Sequence, residues 1–206
     1  TPAALAAANA SSDIPLLLGA ITDPENGGLV ESNEVPGGNV TGVSDMTPIE
    51  EQIALIRKIQ PDAKTLGLLY SSSEDNSILQ GEMAADLAKK YGFETVTRTV
   101  ASINDVSQVT QQLVAEVDAI WTPNDNVIAS ALPSVLEVSN NAKIPVYPAV
   151  DMMVAQGGLA TIGLNQYAIG VKTGEMAVQL LQGEIDPATT PIVRADVTDL
   201  VINFEA

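Results

Sequence analysis

Short apolar runs rich in β-branched residues alternate with longer amphipathic stretches along almost the whole chain, and that alternation leaves few folds open. Ile14 to Ile21 reads as a buried strand that ends at the breaker Thr22-Asp23-Pro24. Asn39 to Val43 follows as a second strand after the turn Pro36-Gly37-Gly38. Thr47-Pro48-Ile49-Glu50 predicts a helix start, with Thr47 as N-cap, Pro48 in the first turn and Glu50 closing a capping box. Ile49, Ile53, Ile56 and Ile59 then mark one helical face, until Pro61 stops it.

From Thr65 onward the pattern is regular. Strands are expected at Thr65–Tyr70, Glu94–Val100, Ala119–Thr122, Ile144–Val150, Leu159–Leu164 and Leu200–Phe204. Helices are expected at Ser77–Tyr91, after a cap at Ser102 or Asn104, at Asn126–Asn141 with a bend at Pro133, at Met152–Gln156, and at Tyr167–Leu181 before Gly183. Strands separated by helices at this spacing predict parallel βαβ units with helices on both faces of each sheet, an α/β class of fold.

Composition excludes much of the remaining chemistry. The chain has 206 residues, enough for one large domain or two small ones, and its 9 basic against 26 acidic residues leave a net charge of −17. A surface of that sign repels nucleic acid and anionic membranes. The absence of His removes histidine-based triads, bases and zinc sites, and the absence of Cys removes thiolates, disulfides and iron–sulfur ligation. No apolar run approaches the roughly 20 residues that span a bilayer. The chain opens at Thr1-Pro2 without a charged leader, so an exported form is expected to have lost one.

Several strands run into polar, turn-forming clusters: Thr22-Asp23-Pro24, Ser71 through Asn76, Thr122 through Asn126, and Asp151. Taken singly, each cluster reads as an ordinary helix cap. Taken together, in an open parallel sheet, they fall at the carboxyl ends of the strands, where ligand crevices form and where helix N-termini favour an anionic group.

Specific segments carry a resemblance. Asp13-Ile14-Pro15 through Asp23-Pro24, Pro36 through Asp45, Leu69-Tyr70 with Ser73-Glu74 and Asn76-Ser77, Asp118 through Trp121 with Pro123 and Asp125-Asn126, Lys143 through Val146, and Leu200 through Asn203 occur in collinear order. In these the chain resembles the solute-binding proteins of ABC importers of the tryptophan/tyrosine type. The resemblance implies a type I periplasmic-binding fold: two doubly wound parallel-sheet lobes that close on a ligand held between them, with hinges near Ser44-Asp45 and near Asn165. Residues 1–45 with 166–192 correspond to the first lobe and 46–165 with 193–206 to the second. Family members carry roughly two more βα units ahead of the position of Thr1, so the first lobe is expected to be incomplete; either the chain is truncated, or a second chain or swapped segment fills the gap.

The same resemblance implies a small amino acid as ligand, aromatic or hydrophobic, no cofactor, no catalysis, and a membrane permease as partner. The expected location is extracytoplasmic, either periplasmic or lipid-anchored at the cell surface. A zwitterion needs an anion for its ammonium and several donors for its carboxylate. Asp125 is the first candidate for the ammonium, with helix capping as its alternative role, and Asp151 is the second. Ser71, Ser73, Asn76, Thr22 and Thr1 are candidates for the carboxylate. Ser71-Ser72 replaces a more usual Asn-Pro of the family, a change of the kind that alters ligand choice. Trp121, Tyr147, Tyr167 and Tyr70 are the rings available to an aromatic ligand, with core packing the stronger reading for Trp121 and Tyr147.

Two other functions compete. A ligand-sensing module of a receptor or regulator shares this fold. A Mg²⁺-dependent enzyme would use Asp23, Asp125 and Asp151 at strand ends, but the chain has no Gly-rich phosphate loop with a following Lys and no Gly-x-Ser-x-Gly elbow.

Overall fold

The computed structural model describes residues 1–195 and 198–206. In chain order the elements are α1 (Pro2–Ala10), β1 (Leu16–Ile21), β2 (Val40–Ser44), α2 (Ile49–Ile59), β3 (Thr65–Ser71), α3 (Asp75–Lys90) and β4 (Glu94–Val100). A 3₁₀ turn at Ile103–Asp105 leads into α4 (Val106–Leu113), followed by β5 (Ala119–Thr122), α5 (Asn126–Ser130), α6 (Leu132–Ala142) and β6 (Val146–Pro148). Then come α7 (Asp151–Ala155), β7 (Ala160–Leu164), α8 (Gln166–Gln182), β8 (Val193–Arg194) and β9 (Thr198–Ile202). The chain divides into two compact units, Thr1–Met46 with Leu164–Val197 and Thr47–Gly163 with Thr198–Ala206. The segment 193–206 that the sequence assigned to the second lobe includes residues 196 and 197, which lie outside the described residues.

In the second unit, β4-β3-β5-β6 form a parallel sheet in that order. β3, β5 and β6 are buried at successive positions because both faces are covered, whereas the edge strand β4 is polar and only partly buried. Leu66, Leu68, Tyr70, Ala119, Trp121 and Tyr147 point into one core with Ile49, Ile53 and Ile56 of α2 and Ala84 and Ala88 of α3. The alternate residues Leu69, Ile120 and Val146 meet Val106 and Leu113 of α4, Ile128 of α5 and Leu132, Val135 and Leu136 of α6 on the other face. Each fully buried Leu or Ile contributes roughly 2 kcal/mol. β7 pairs with β9, and the Asn203 N–H donates to the Leu159 carbonyl at 2.8 Å.

The first unit carries the parallel sheet β1-β2-β8. Leu18, Ile21, Leu29 and Val40 form a core with Ala4, Leu5 and Ala8 of α1, while Val43 packs with Leu164 and with Ile169 and Met176 of α8. Gly42 is fixed by close approach: at φ +150° a Cβ here would lie 2.2 Å from the Leu18 carbonyl oxygen on β1.

Four local expectations are corrected. Thr47 does not cap α2; its hydroxyl donates to Gln80 Oε1 at 3.1 Å, Pro48 takes the N-cap position, and no capping box forms. Ile59 is 39% exposed, because the last turn of α2 rotates it off the core. The helix expected to bend at Pro133 is two helices, since proline in the first turn of α6 has no N–H to continue α5. Ile14 is exposed and precedes the strand. The two-residue β8 has no pattern long enough to read from sequence.

Candidate functional site

Because β3, β5 and β6 are parallel, Ser71, Thr122 and Pro148 end on one edge of the second unit's sheet. The loops that follow feed α3, α5 and α7. Crevices in open α/β sheets form along this edge.

Asp125 ties two of these loops together. Its Oδ2 accepts from the Ser71 N–H at 2.6 Å and its Oδ1 from the Ile128 N–H at 2.8 Å, which caps α5. The side chain is buried, and both oxygens are engaged by the protein's own backbone. Ser71 Oγ and Ser73 Oγ lie 2.8 Å apart, and the Ser73 N–H donates to Ser71 Oγ at 3.1 Å. Ser71 is buried and Ser73 exposed, so the pair leads from the interior to the surface.

Glu74 and Asn76 form a second polar group on the same loop. Asn126 Nδ2 donates to Glu74 Oε2 at 2.9 Å, with the Asn126 N–H at 3.4 Å and Asn76 Nδ2 at 3.5 Å on the same oxygen. Asn76 Nδ2 also donates to the Asn124 carbonyl at 3.1 Å. Gln80 lies beneath, buried, with its Nε2 donating to the Asn76 carbonyl at 3.1 Å and its Oε1 accepting from Thr47. Asn76 Oδ1 and Thr122 Oγ1 are buried with no hydrogen-bond partner. Unpaired polar atoms of this kind cost about 1–3 kcal/mol each unless something else satisfies them.

The other candidates belong to other loops. Asp151 Oδ1 accepts from the neighbouring Met152 N–H at 2.7 Å, at the start of the short α7. Thr1 and Thr22 belong to the first unit. Thr1 stands at the N-cap of α1 without a side-chain cap bond, and its hydroxyl oxygen is buried and unpartnered. Ser44 Oγ donates to the Thr22 carbonyl at 2.7 Å. Asp23, also in the first unit, accepts from the N–H and Nδ2 of Asn26 and from Asn33 Nδ2; burial pushes its pKa up, but these bonds together hold it below the ordinary carboxylate value. Among the described residues no group of three or more acidic side chains is placed to hold a metal ion.

Three of the four rings are structural. Trp121 is fully buried and its Nε1 donates to Gln52 Oε1 at 3.0 Å. Tyr147 is buried, its hydroxyl donates to Gln60 Oε1 at 3.1 Å, and desolvation drives its pKa upward. Tyr70 packs against Gly81. Tyr167, in the first unit, is 83% exposed and lines an open concavity between α8 and β8 with Val171, Lys172 and Arg194.

Glu74 and Gln80 are absent from the site the sequence suggests. Glu74 reads as one more charged residue in a polar loop. No local signal marks it, because the sequence places the helix start at Ser77 and only the fold sets Glu74 at the N-cap of α3.

Comparison with known proteins agrees with this architecture. The tyrosine-binding protein of Clostridioides difficile is 39% identical over 203 residues, covering 98% of this chain and 59% of the relative, so the chain spans well under two thirds of that protein's length. The ABC domain solved in complex with L-Trp from Streptococcus pneumonia is 44% identical with a TM-score of 0.95, over 99% of this chain and 69% of the other. A conserved domain protein from Vibrio cholerae is 36% identical with the same TM-score and the same coverage. The parallel-sheet α/β fold is that of type I periplasmic-binding-protein-like structures. The family model for ABC transporter substrate binding protein matches residues 1–206, and the chain belongs to that family.

Proposed function

We propose that the chain captures an aromatic amino acid for an ABC importer, working outside the cytoplasmic membrane, delivering its ligand to a membrane permease and carrying out no chemical conversion. The observation that carries this reading is the strand-end edge of the second unit, where hydroxyl and amide groups on two loops converge beside buried polar atoms that lack partners. The loop that holds Ser71, Ser73 and Asn76 supplies short hydroxyl and amide side chains suited to an amino-acid head group. The likeness to a tyrosine-binding protein and to a domain solved with L-Trp supports an aromatic side chain on that ligand. Asp125 and Asp151 stand on the same edge, and each already accepts backbone hydrogen bonds.

A thermal-shift screen of the chain against the twenty amino acids tests the reading. A rise in melting temperature with tyrosine, tryptophan or phenylalanine, and little with acidic or basic amino acids, is expected. No shift with any of the twenty overturns it.

A further inference from the structure

We infer that Glu74 and Asn76 together receive the ammonium group of the ligand, and that Asp125 is a positioning residue that does not touch it. The inference rests on the proposed amino-acid ligand and adds the groups that meet its positive charge.

Asp125 is the obvious acid by position, but its bonds are spent on the fold. Its two oxygens hold the backbone N–H groups of Ser71 and Ile128 at 2.6 and 2.8 Å. Glu74 differs on each point. It stands at the N-cap position of α3, yet its side chain makes no cap bond. It is only 6% exposed, and among the described residues it makes no ion pair with any Lys or Arg. The hydrogen bonds its side chain accepts all fall on Oε2 and come from asparagine groups; among the described residues Oε1 receives none. Buried carboxylates are ordinarily paired with a cation, and this one has uncharged partners only.

Asn76 supplies the second, independent observation. Its Nδ2 is turned toward the Asn124 carbonyl at 3.1 Å, which fixes the amide, because the reversed orientation would set two oxygens against each other. Oδ1 is thereby turned away and left buried without a partner, on a residue only 8% exposed whose Nδ2 lies 3.5 Å from Glu74 Oε2. A network built only to lock the loops has no use for a buried orphaned acceptor on the same loop as a carboxylate whose partners are all uncharged. A primary ammonium carries three donors and no acceptor, which suits a carboxylate oxygen and an unpaired amide oxygen on the same loop. A divalent cation fits less well, since it takes roughly six or more oxygens and this pair offers far fewer.

Calorimetry on the unaltered chain and on Glu74→Gln tests the inference, with L-tyrosine, L-tryptophan and their counterparts lacking the amino group. In Glu74→Gln, affinity for the amino acids is expected to fall by roughly 10- to 100-fold, while the weaker affinity for the deaminated compounds stays within about twofold. A merely structural role would lower both alike, and that result overturns the inference. Glu74→Gln binding the amino acids within about threefold of the unaltered chain also overturns it and leaves the proposed function standing. An unaltered chain that binds neither amino acid overturns both. Should Glu74→Gln fail to fold by circular dichroism, a crystal structure of the unaltered chain with L-tyrosine decides. An ammonium nitrogen within about 3.2 Å of Glu74 and Asn76 Oδ1 supports the inference, and one seated on Asp125 or another acid overturns it.

Discussion

The Ser71 N–H donates to Asp125 Oδ2 across 2.6 Å, joining the end of β3 to the start of α5 through a carboxylate that is 1% exposed. The same carboxylate caps α5 through the Ile128 N–H, so one side chain sets the spacing of two loops on the candidate binding edge. Asp125→Ala leaves two backbone donors without their acceptor and is expected to cost about 2–4 kcal/mol of stability. Asp125→Asn keeps an acceptor for one of them and should cost less. Urea denaturation of the two variants beside the parent chain checks the order.

Gln52 joins three elements in the core of the second unit. Its Oε1 accepts from Trp121 Nε1 at 3.0 Å, while its Nε2 donates to the carbonyls of Ala149 at 3.1 Å and Ile162 at 2.9 Å. Gln52→Leu is close in volume but leaves a buried indole N–H without its acceptor and takes a donor from two carbonyls. A loss of about 2–4 kcal/mol is expected. The chain has one tryptophan, so fluorescence of Trp121 during urea unfolding reports the shifted midpoint directly.

Gly81 on α3 faces the ring of Tyr70, and a Cβ added there would stand 2.3 Å from a ring carbon. Gly81→Ala therefore displaces a ring packed in the buried core, at a cost of about 1–3 kcal/mol despite alanine's better helix propensity. Combining it with Tyr70→Leu should recover part of that loss. Denaturation midpoints of both single variants and of the pair measure the coupling.

Asp118 fastens the start of β3 to the start of β5. Its Oδ2 accepts from the Lys64 N–H at 2.7 Å and the Thr65 N–H at 2.9 Å. The N–H of Thr65, then that of Lys64, hold its carboxyl below the ordinary value of 3.8. A carboxyl whose folded pKa lies below its unfolded one contributes stability that is complete above the unfolded value and lost as pH falls through the folded one. Asp118 is exposed, so solvent screening keeps the effect small. Asp118→Asn should lose about 1 kcal/mol at neutral pH, with the difference from the parent vanishing below the folded pKa. Urea midpoints measured from pH 7 down to pH 2 give the profile.

The elements that carry hydrophobic period were readable from sequence, and the groups whose role depends on distant partners were not. β4 and β5 fall where the residues place them, because Glu94–Val100 and Ala119–Thr122 are bounded by turn residues on both sides. Thr47 reads as a cap because its neighbours fit one; what displaces it is Gln80, more than thirty residues away, whose amide oxygen takes the hydroxyl. Asp125 offers two readings in sequence, ligand acid or cap, and three-dimensional contact with Ser71 and Ile128 shows where its oxygens go. Glu74 gives no local sign of burial; it becomes distinctive only when Asn126, on another loop, turns its amide toward it.

The account depends on the strand-end edge of the second unit receiving an amino-acid head group. Titration of the ¹⁵N-labelled chain with L-tyrosine, followed residue by residue in ¹H–¹⁵N NMR spectra, tests this most directly. The account predicts saturable shifts of the Ser73, Glu74 and Asn76 backbone signals and of the Asn76 and Asn126 side-chain amides. A bound ligand that leaves those signals unmoved and perturbs residues elsewhere would contradict it.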